Sequence, residues 1–214
     1  MSDYVPPLRY RFLTRFYDPI VRITTNETRF KGALVRQVSA GPRDRVLDLG
    51  CGTGTLTLEL ARAYPGAQVT GLDADLEALA FARDKAQRAG IGLSFSHNRA
   101  ASLPFPDGSF DRVVSSLLFH HLTRDQKMAA LDEAHRVLKR GGELHLADWG
   151  APRNPLLRCA FVLVQLLDGF QNTRDNLRGL LPQLIMRSRF GSVRETCRFT
   201  APLGTIVLLR SVKP

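Results

Sequence analysis

Cysteine is scarce in this chain: among 214 residues only Cys51, Cys159 and Cys197 carry a thiol, odd in number and widely scattered. That usage gives no disulfide framework and no zinc-ligand spacing, and a reducing cytoplasm is the expected compartment. Long apolar runs are lacking too. The longest, Leu156 to Leu167, is broken by Arg158 and Gln165 and stops at Asp168, short of the roughly 20 residues that cross a bilayer. No transmembrane helix is expected. The N-terminus, MSDYVPPLRYRFLTRFYDPIV, has prolines and arginines where a secretory leader needs an unbroken apolar core. With no low-complexity tract and no internal repeat, the chain reads as one domain over residues 1–214.

Acidic residues are outnumbered, 20 against 30 Lys and Arg, for a net charge of +10 and a pI near 10.2. Such a balance admits attraction to nucleic acid, attraction to anionic lipid, or plain solubility. The arginines are dispersed, and no basic run is interleaved with aromatics as a single-strand-binding groove requires. Nucleic acid is therefore not the expected partner.

What the chain does have is the stretch Val46 to Leu60, VLDLGCGTGTLTLEL, where an apolar run breaks into glycines and resumes with helical spacing. A buried strand ends in a tight turn there, and a helix starts behind it. Gly50, Gly52 and Gly54 alternate, so the backbone can take conformations closed to other residues and lie against a ligand. The dinucleotide fingerprint needs a small residue where Thr55 stands, which counts against NAD or FAD.

Around this stretch, strands and helices alternate. Strands are expected at Arg45 to Leu49, Gln68 to Leu72, Ile91 to Ser96, Asp111 to Ser116 and Glu143 to Ala147. Helices are expected at about Thr28 to Val38 and at Leu76 to Ala89, the latter closed by Gly90. A further helix opens on the capping box Thr123 to Gln126 and stops at Gly141 and Gly142. Alternation of this kind implies a parallel sheet with crossover helices. Beyond Trp149 the chain reads as helical to about Ser188. Phe190 to Phe199 and Thr205 to Ser211 then form two strands linked too tightly for a crossover, hence antiparallel.

Asp73 ends the second strand some twenty residues beyond the glycine turn, where a carboxylate can accept from both ribose hydroxyls. It could equally cap the following helix. Ligands of open α/β sheets sit beyond the carboxyl ends of the strands. The glycine turn, Asp73, Arg99, Ser116 and Asp148 are expected to converge there.

VLDLGCGTGTLTLEL, GLDAD, LPFPDGSFDRVVSSLLFHHL and LDEAHRVLKRGGELHLADW together resemble the class I S-adenosylmethionine-dependent methyltransferases. Within that class they are similar to the subgroup of ubiquinone and menaquinone biosynthesis C-methyltransferases. The resemblance covers about Arg43 to Trp149 and implies an α/β Rossmann-like fold. Its seven-stranded, mostly parallel sheet has helices on both faces and an antiparallel C-terminal hairpin strand. It implies a cofactor-binding core over residues 43–149, an N-terminal helical lid over 1–42, and substrate-side helices with the hairpin over 150–214. S-adenosylmethionine is the implied cofactor and S-adenosylhomocysteine its product, with no metal.

By the same resemblance, Asp48, Gly50, Cys51, Gly52, Thr53 and Gly54 would cradle the cofactor. Thr53 would lie at the methionine end, and Asp73 with Ala74 at the ribose. Arg99, Ala100 and Ser116 match positions lining its adenine or methionine side. The subgroup usually has an acidic or amide residue at Arg99 and a Glu at Ala101, so adenine is read either by Asn98 or by backbone alone. His120 and His121 follow the fourth strand where an acceptor would sit, and histidine suits proton removal near neutral pH. They could equally be structural. Tyr17, Asp148 and Trp149 are further candidates, Tyr17 because it matches the subgroup's N-terminal Tyr-Asp segment.

Leu8 to Ile23 is amphipathic and basic, either a rim helix or a lid that also rests on an anionic membrane surface. The expected activity is methyl transfer to a small or lipid-like apolar acceptor. A non-catalytic binding protein of the same fold and an RNA methyltransferase are the alternatives. Asp148-Trp149 lacks the Asn/Asp-Pro-Pro-aromatic motif of amino-methylating enzymes.

Overall fold

The computed structural model describes residues 27–214. The expectations for Leu8 to Ile23 and for Tyr17 lie outside the described residues. Seven strands form one sheet: β1 (Arg45–Leu49), β2 (Gln68–Asp73), β3 (Ser94–His97), β4 (Phe110–Ser116), β5 (Leu138–Gly150), β6 (Val193–Ala201) and β7 (Gly204–Val212), ordered β3-β2-β1-β4-β5-β7-β6. Neighbours from β3 through β5 are parallel, as in Val46↔Val69 and Val46↔Arg112. β7 runs antiparallel to both β5 and β6, with Asp148 opposite Val207. This is the sheet that the resemblance implies, reversed strand included.

Side-chain alternation along the strands divides the core. Leu47, Leu49, Val113, Leu144 and Leu146 face one layer, built from α4 (Arg124–Val137) and α7 (Leu181–Arg187). Val46, Val114, Ala147 and Trp149 face the other, built from α1 (Glu27–Val38), α2 (Thr55–Ala63) and α5 (Pro155–Asp168). Each fully buried leucine contributes about 1.5–3 kcal/mol. These two layers hold the carboxyl ends of β1, β2 and β4 at one edge.

Several boundaries differ from the sequence reading, among them β6, which starts at Val193 rather than Phe190. β3 starts at Ser94 rather than Ile91, because the Ile91 N–H closes the end of α3 (Leu76–Arg88) by bonding Ala86 O at 3.1 Å. The helix opened by the Thr123–Gln126 capping box ends at Val137, before the glycines expected to stop it. Leu138 already pairs with Phe110, and the next ladder pair is Arg112↔Glu143, so Gly141 and Gly142 sit in an irregularity of a longer β5. The segment after Trp149 is three helices, α5, α6 (Phe170–Leu177) and α7, broken where Gly169 and Gly179 take φ of 93° and 68°.

Candidate functional site

The glycine turn hangs on the end of β2, with Gly50 N and Cys51 N donating to Leu72 O at 2.8 and 2.9 Å. Gly50, Gly52 and Gly54 have φ of 74°, 53° and 75°, a region that residues with a Cβ enter only under strain. Their surroundings differ. A Cβ on Gly54 would lie 2.8 Å from Ala82 Cβ on α3, whereas one on Gly52 would meet nothing within 4 Å. Gly54 therefore serves helix packing, and Gly52 is the open face of the turn. Gly54→Ala is expected to destabilise by about 2–6 kcal/mol, the sum of backbone strain and overpacking. Gly52→Ala should cost about 1–3 kcal/mol from strain alone; thermal melts of the two variants check the order.

Asp73 closes the turn. Its Oδ2 accepts from Gly52 N at 2.7 Å and its Oδ1 from Asp75 N at 2.9 Å, so one carboxylate joins the glycine turn to the start of α3. The helix cap itself is Asp75, which accepts from Glu77 N and Ala78 N. Burial raises the Asp73 pKa against the pull of those backbone donors.

Asp48 and Ser116 share a sheet face, since Asp48 pairs with Val114 and Ser116 follows two residues on. Asp48 Oδ2 accepts from Thr57 Oγ1 at 2.6 Å, but Asp48 Oδ1 and Ser116 Oγ are buried without a hydrogen-bond partner among the described residues. Burial pushes the Asp48 pKa up to about 6, opposed by the Thr57 hydroxyl and the Lys31 charge. Two orphaned polar atoms beneath a glycine turn fit a polar, cationic ligand there.

Other expected residues contribute differently. Thr53 Oγ1 accepts from Lys85 Nζ at 3.2 Å, on the side of α3. The Cys51 thiol is buried, its pKa pushed up by desolvation, and its sulfur lies against the position a Gly71 Cβ would take, so the Cys51 backbone is what the turn presents. Ala74 O meets His97 Nε2 at 3.0 Å, and Asn98 N donates to Asp73 O at 3.0 Å, placing Asn98 at the end of β3. Arg99 is exposed, and Ala100 packs on the core.

His120 and His121 occupy the 3-10 turn Phe119–His121 just after β4. The preceding Leu118 side chain touches the space beside Gly50, which links this turn to the glycine turn. His120 Nδ1 lies 2.8 Å from Asp148 Oδ1, and its Nε2 lies 3.6 Å from Asp168 Oδ2. Asp168 Oδ1 lies 3.4 Å from His121 Nδ1. Burial pulls the His120 pKa down, but the two carboxylates outweigh it and raise it. His121 goes the other way, to about 4, through burial and its neighbour's positive charge. Its Nε2 is buried without a partner.

Sequence reasoning placed Asp148 at the crevice but missed what holds it. Its carboxylate accepts from Phe119 N, Trp149 N and Asn176 Nδ2 as well as facing His120, and the His120 charge and hydrogen bond, with the two backbone donors, keep its pKa low despite burial. Asp168, Asn172 and Asn176 carried no motif. Asn172 Nδ2 donates to His121 O at 2.9 Å, and the fully buried Lys127 donates to Asn172 O and lies 3.7 Å from Asp175. Trp149 is buried and meets Phe161 and His120 edge to face. Ligand atoms of His120, His121 and Asp168 come within 4.8 Å of one another; both His120 nitrogens face carboxylates, so the group reads as an ion-pair cluster.

A doubly wound sheet with a reversed β7, and a glycine turn clasped by the aspartate ending β2, define the Rossmann-like methyltransferase class. The same fold is found in the YcgJ protein of Bacillus subtilis (TM-score 0.72, 22% identity, 87% of this chain and 98% of that one). It is found too in a magnesium protoporphyrin IX methyltransferase of Synechocystis (TM-score 0.69, 22% identity, 93% and 88%). Residues 46–142 match the family model described as a methyltransferase domain. A Xanthomonas axonopodis ubiquinone/menaquinone biosynthesis C-methyltransferase is 32% identical over 85% of this chain and 78% of its own length. The chain belongs to the S-adenosylmethionine-dependent methyltransferases. A Thermus thermophilus demethylmenaquinone methyltransferase is 43% identical over 50% of this chain, a match that spans 48% of that relative.

Proposed function

We propose that the crevice at the carboxyl ends of β1, β2 and β4 binds S-adenosylmethionine and that an apolar, lipid-like acceptor is methylated on the side of His120 and His121. The observation that carries it is the pair of buried, unpartnered atoms, Asp48 Oδ1 and Ser116 Oγ, beneath the glycine turn that Asp73 ties down. Leaving such atoms unpaired costs about 1–3 kcal/mol each, which a bound polar group would relieve. Asp48 would face the cationic end of the cofactor, and Asp73 would accept from its ribose. Gly52, with open space above it, would let the cofactor lie against backbone.

The sulfonium supplies an electrophilic methyl group. The protein's share is alignment and exclusion of water. Trp149, packed on the core residue Phe161, would back the acceptor side, and His121, neutral with a free Nε2, would take the proton that an acceptor hydroxyl or activated carbon gives up. His120 is held by Asp148 and positions its neighbour. The names of the quinone-methylating relatives support an apolar acceptor for this chain too.

Calorimetry with dialysed protein tests the cofactor. S-adenosylmethionine and S-adenosylhomocysteine are both expected to bind, and Asp73→Ala should weaken each about 10- to 100-fold, the worth of one or two charge-assisted hydrogen bonds. Unchanged affinity in the variant would remove Asp73 from the site. Transfer of labelled methyl to a demethylated quinol but not to tRNA would support the acceptor class; the reverse result overturns it.

A further inference from the structure

The outward face of α5 is apolar, and among the described residues nothing covers it. Leu156, Leu163, Leu166 and Phe170 are 78%, 49%, 60% and 56% exposed, and Val162 and Leu167 join them at helical spacing. A contiguous exposed stripe of this kind marks an interaction surface rather than scattered surface residues. Its opposite face is fully used, with Phe161 and Val164 in the core.

The exposed charges on α5, on α6 and on the turn before them are of one sign. Between residues 151 and 178 the exposed ionised side chains are Arg153, Arg158, Arg174 and Arg178. The two carboxylates of that stretch, Asp168 and Asp175, are not exposed and turn inward, Asp168 to the histidines and Asp175 to Arg124 and Lys127. Four cations and no exposed anion thus lie along the two packed helices that carry the apolar face.

We propose that this face docks on an anionic lipid bilayer, the leucines and Phe170 entering the headgroup boundary and the arginines meeting lipid phosphates. Apolar burial and electrostatic attraction then act together, as they do for interfacial amphipathic helices. The charge pattern argues against other occupants. A two-fold contact with a second copy would bring arginines against arginines. Residues 1–26 carry Arg9, Arg11, Arg15 and Arg22 against Asp3 and Asp18, so they offer this patch no net complementary charge. The docking does not depend on which acceptor is methylated. It would place a membrane-dissolved molecule beside α5, the helix that ends at Asp168 next to the histidines.

The native cysteines supply the test. Cys159 lies exposed on α5, Cys197 lies exposed on the edge strand β6, and Cys51 is buried. Maleimide labelling of the full chain is expected to be rapid at Cys159 without vesicles. Vesicles of phosphatidylcholine with phosphatidylglycerol should slow it roughly tenfold or more, and phosphatidylcholine alone should have little effect. Cys197 serves as the internal reference. Leu163→Gln combined with Leu166→Gln should abolish both the protection and co-flotation, with the thermal melt and cofactor binding retained. Protection of Cys159 before vesicles are added would show that the chain or a second copy covers the face. That result, the absence of lipid protection, or equal flotation of the double variant overturns the proposal, whatever the cofactor titration gives.

Discussion

His121→Ala is expected to lower kcat by roughly 10²- to 10⁴-fold, the usual contribution of a positioned proton acceptor, while S-adenosylmethionine affinity changes little. The expectation follows from how the two adjacent histidines differ. Both nitrogens of His120 face carboxylates, Asp148 at 2.8 Å and Asp168 at 3.6 Å, and its pKa is raised accordingly. His121 is pushed down to about 4 by burial and by His120, and its Nε2 has no partner. His120 therefore holds a proton more readily than an ordinary imidazole, and the lone pair stays available on His121. A weakly basic imidazole is always ready to accept but gives little driving force, which suits an acceptor that is itself fairly acidic, such as a phenol or quinol. His121→Gln, keeping a polar side chain, should be nearly as slow as alanine. Single-turnover transfer in pre-formed cofactor complexes separates this loss from binding, and wild-type rates in either variant would leave the histidine a structural role only.

The crevice was legible in the sequence because its parts are local. Val46 to Leu49 followed by alternating glycines fixes a strand and its turn within nine residues, and Asp73 closes the next strand by the same logic. Lys139 to Gly142 misled because glycines end helices and also permit strand irregularities. The choice was made by the Phe110–Leu138 pairing, a contact between residues 28 apart. The network behind the histidines was illegible for a related reason. Asp168, Asn172 and Asn176 are spaced like ordinary helix positions, and their role exists only because α5 and α6 fold back over β5, bringing Asn176 Nδ2 within 3.1 Å of Asp148 Oδ1. Hydrogen bonds across such separations leave no period in the chain. Thr53 stands between the glycines as the motif has it, and the contact of its hydroxyl with Lys85 on α3 is one that no motif announces.

Asp48→Asn is expected to make the ligand-free protein more stable and its cofactor affinity worse. Burial raises the folded-state pKa of Asp48 from 3.8 to about 6. A raised pKa means that the folded protein holds more protons than the unfolded chain between those two values, so stability falls as pH rises through that window. At about 1.4 kcal/mol for each tenfold change in proton affinity, the ionised carboxylate destabilises the fold by about 3 kcal/mol at pH 7.5. Asparagine keeps an acceptor for the Thr57 hydroxyl and removes the charge. Its melting temperature should rise by roughly 6–12 °C at pH 7.5, given about 2–4 °C per kcal/mol for a domain of this size. Near pH 4, where wild-type Asp48 is protonated in the fold, the difference should largely vanish. The retained charge makes sense only if something cationic repays it, and the unpartnered Oδ1 is where that would happen. Affinity for S-adenosylmethionine should therefore fall about tenfold or more in the variant, and in the wild type it should fall as pH drops through about 6. Comparing the two ligands locates the cation: a loss shared by S-adenosylhomocysteine places Asp48 against the amino-acid ammonium, and a loss confined to S-adenosylmethionine places it against the sulfonium. A variant that melts lower at neutral pH and binds both ligands normally would make Asp48 a structural partner of Thr57 and nothing more.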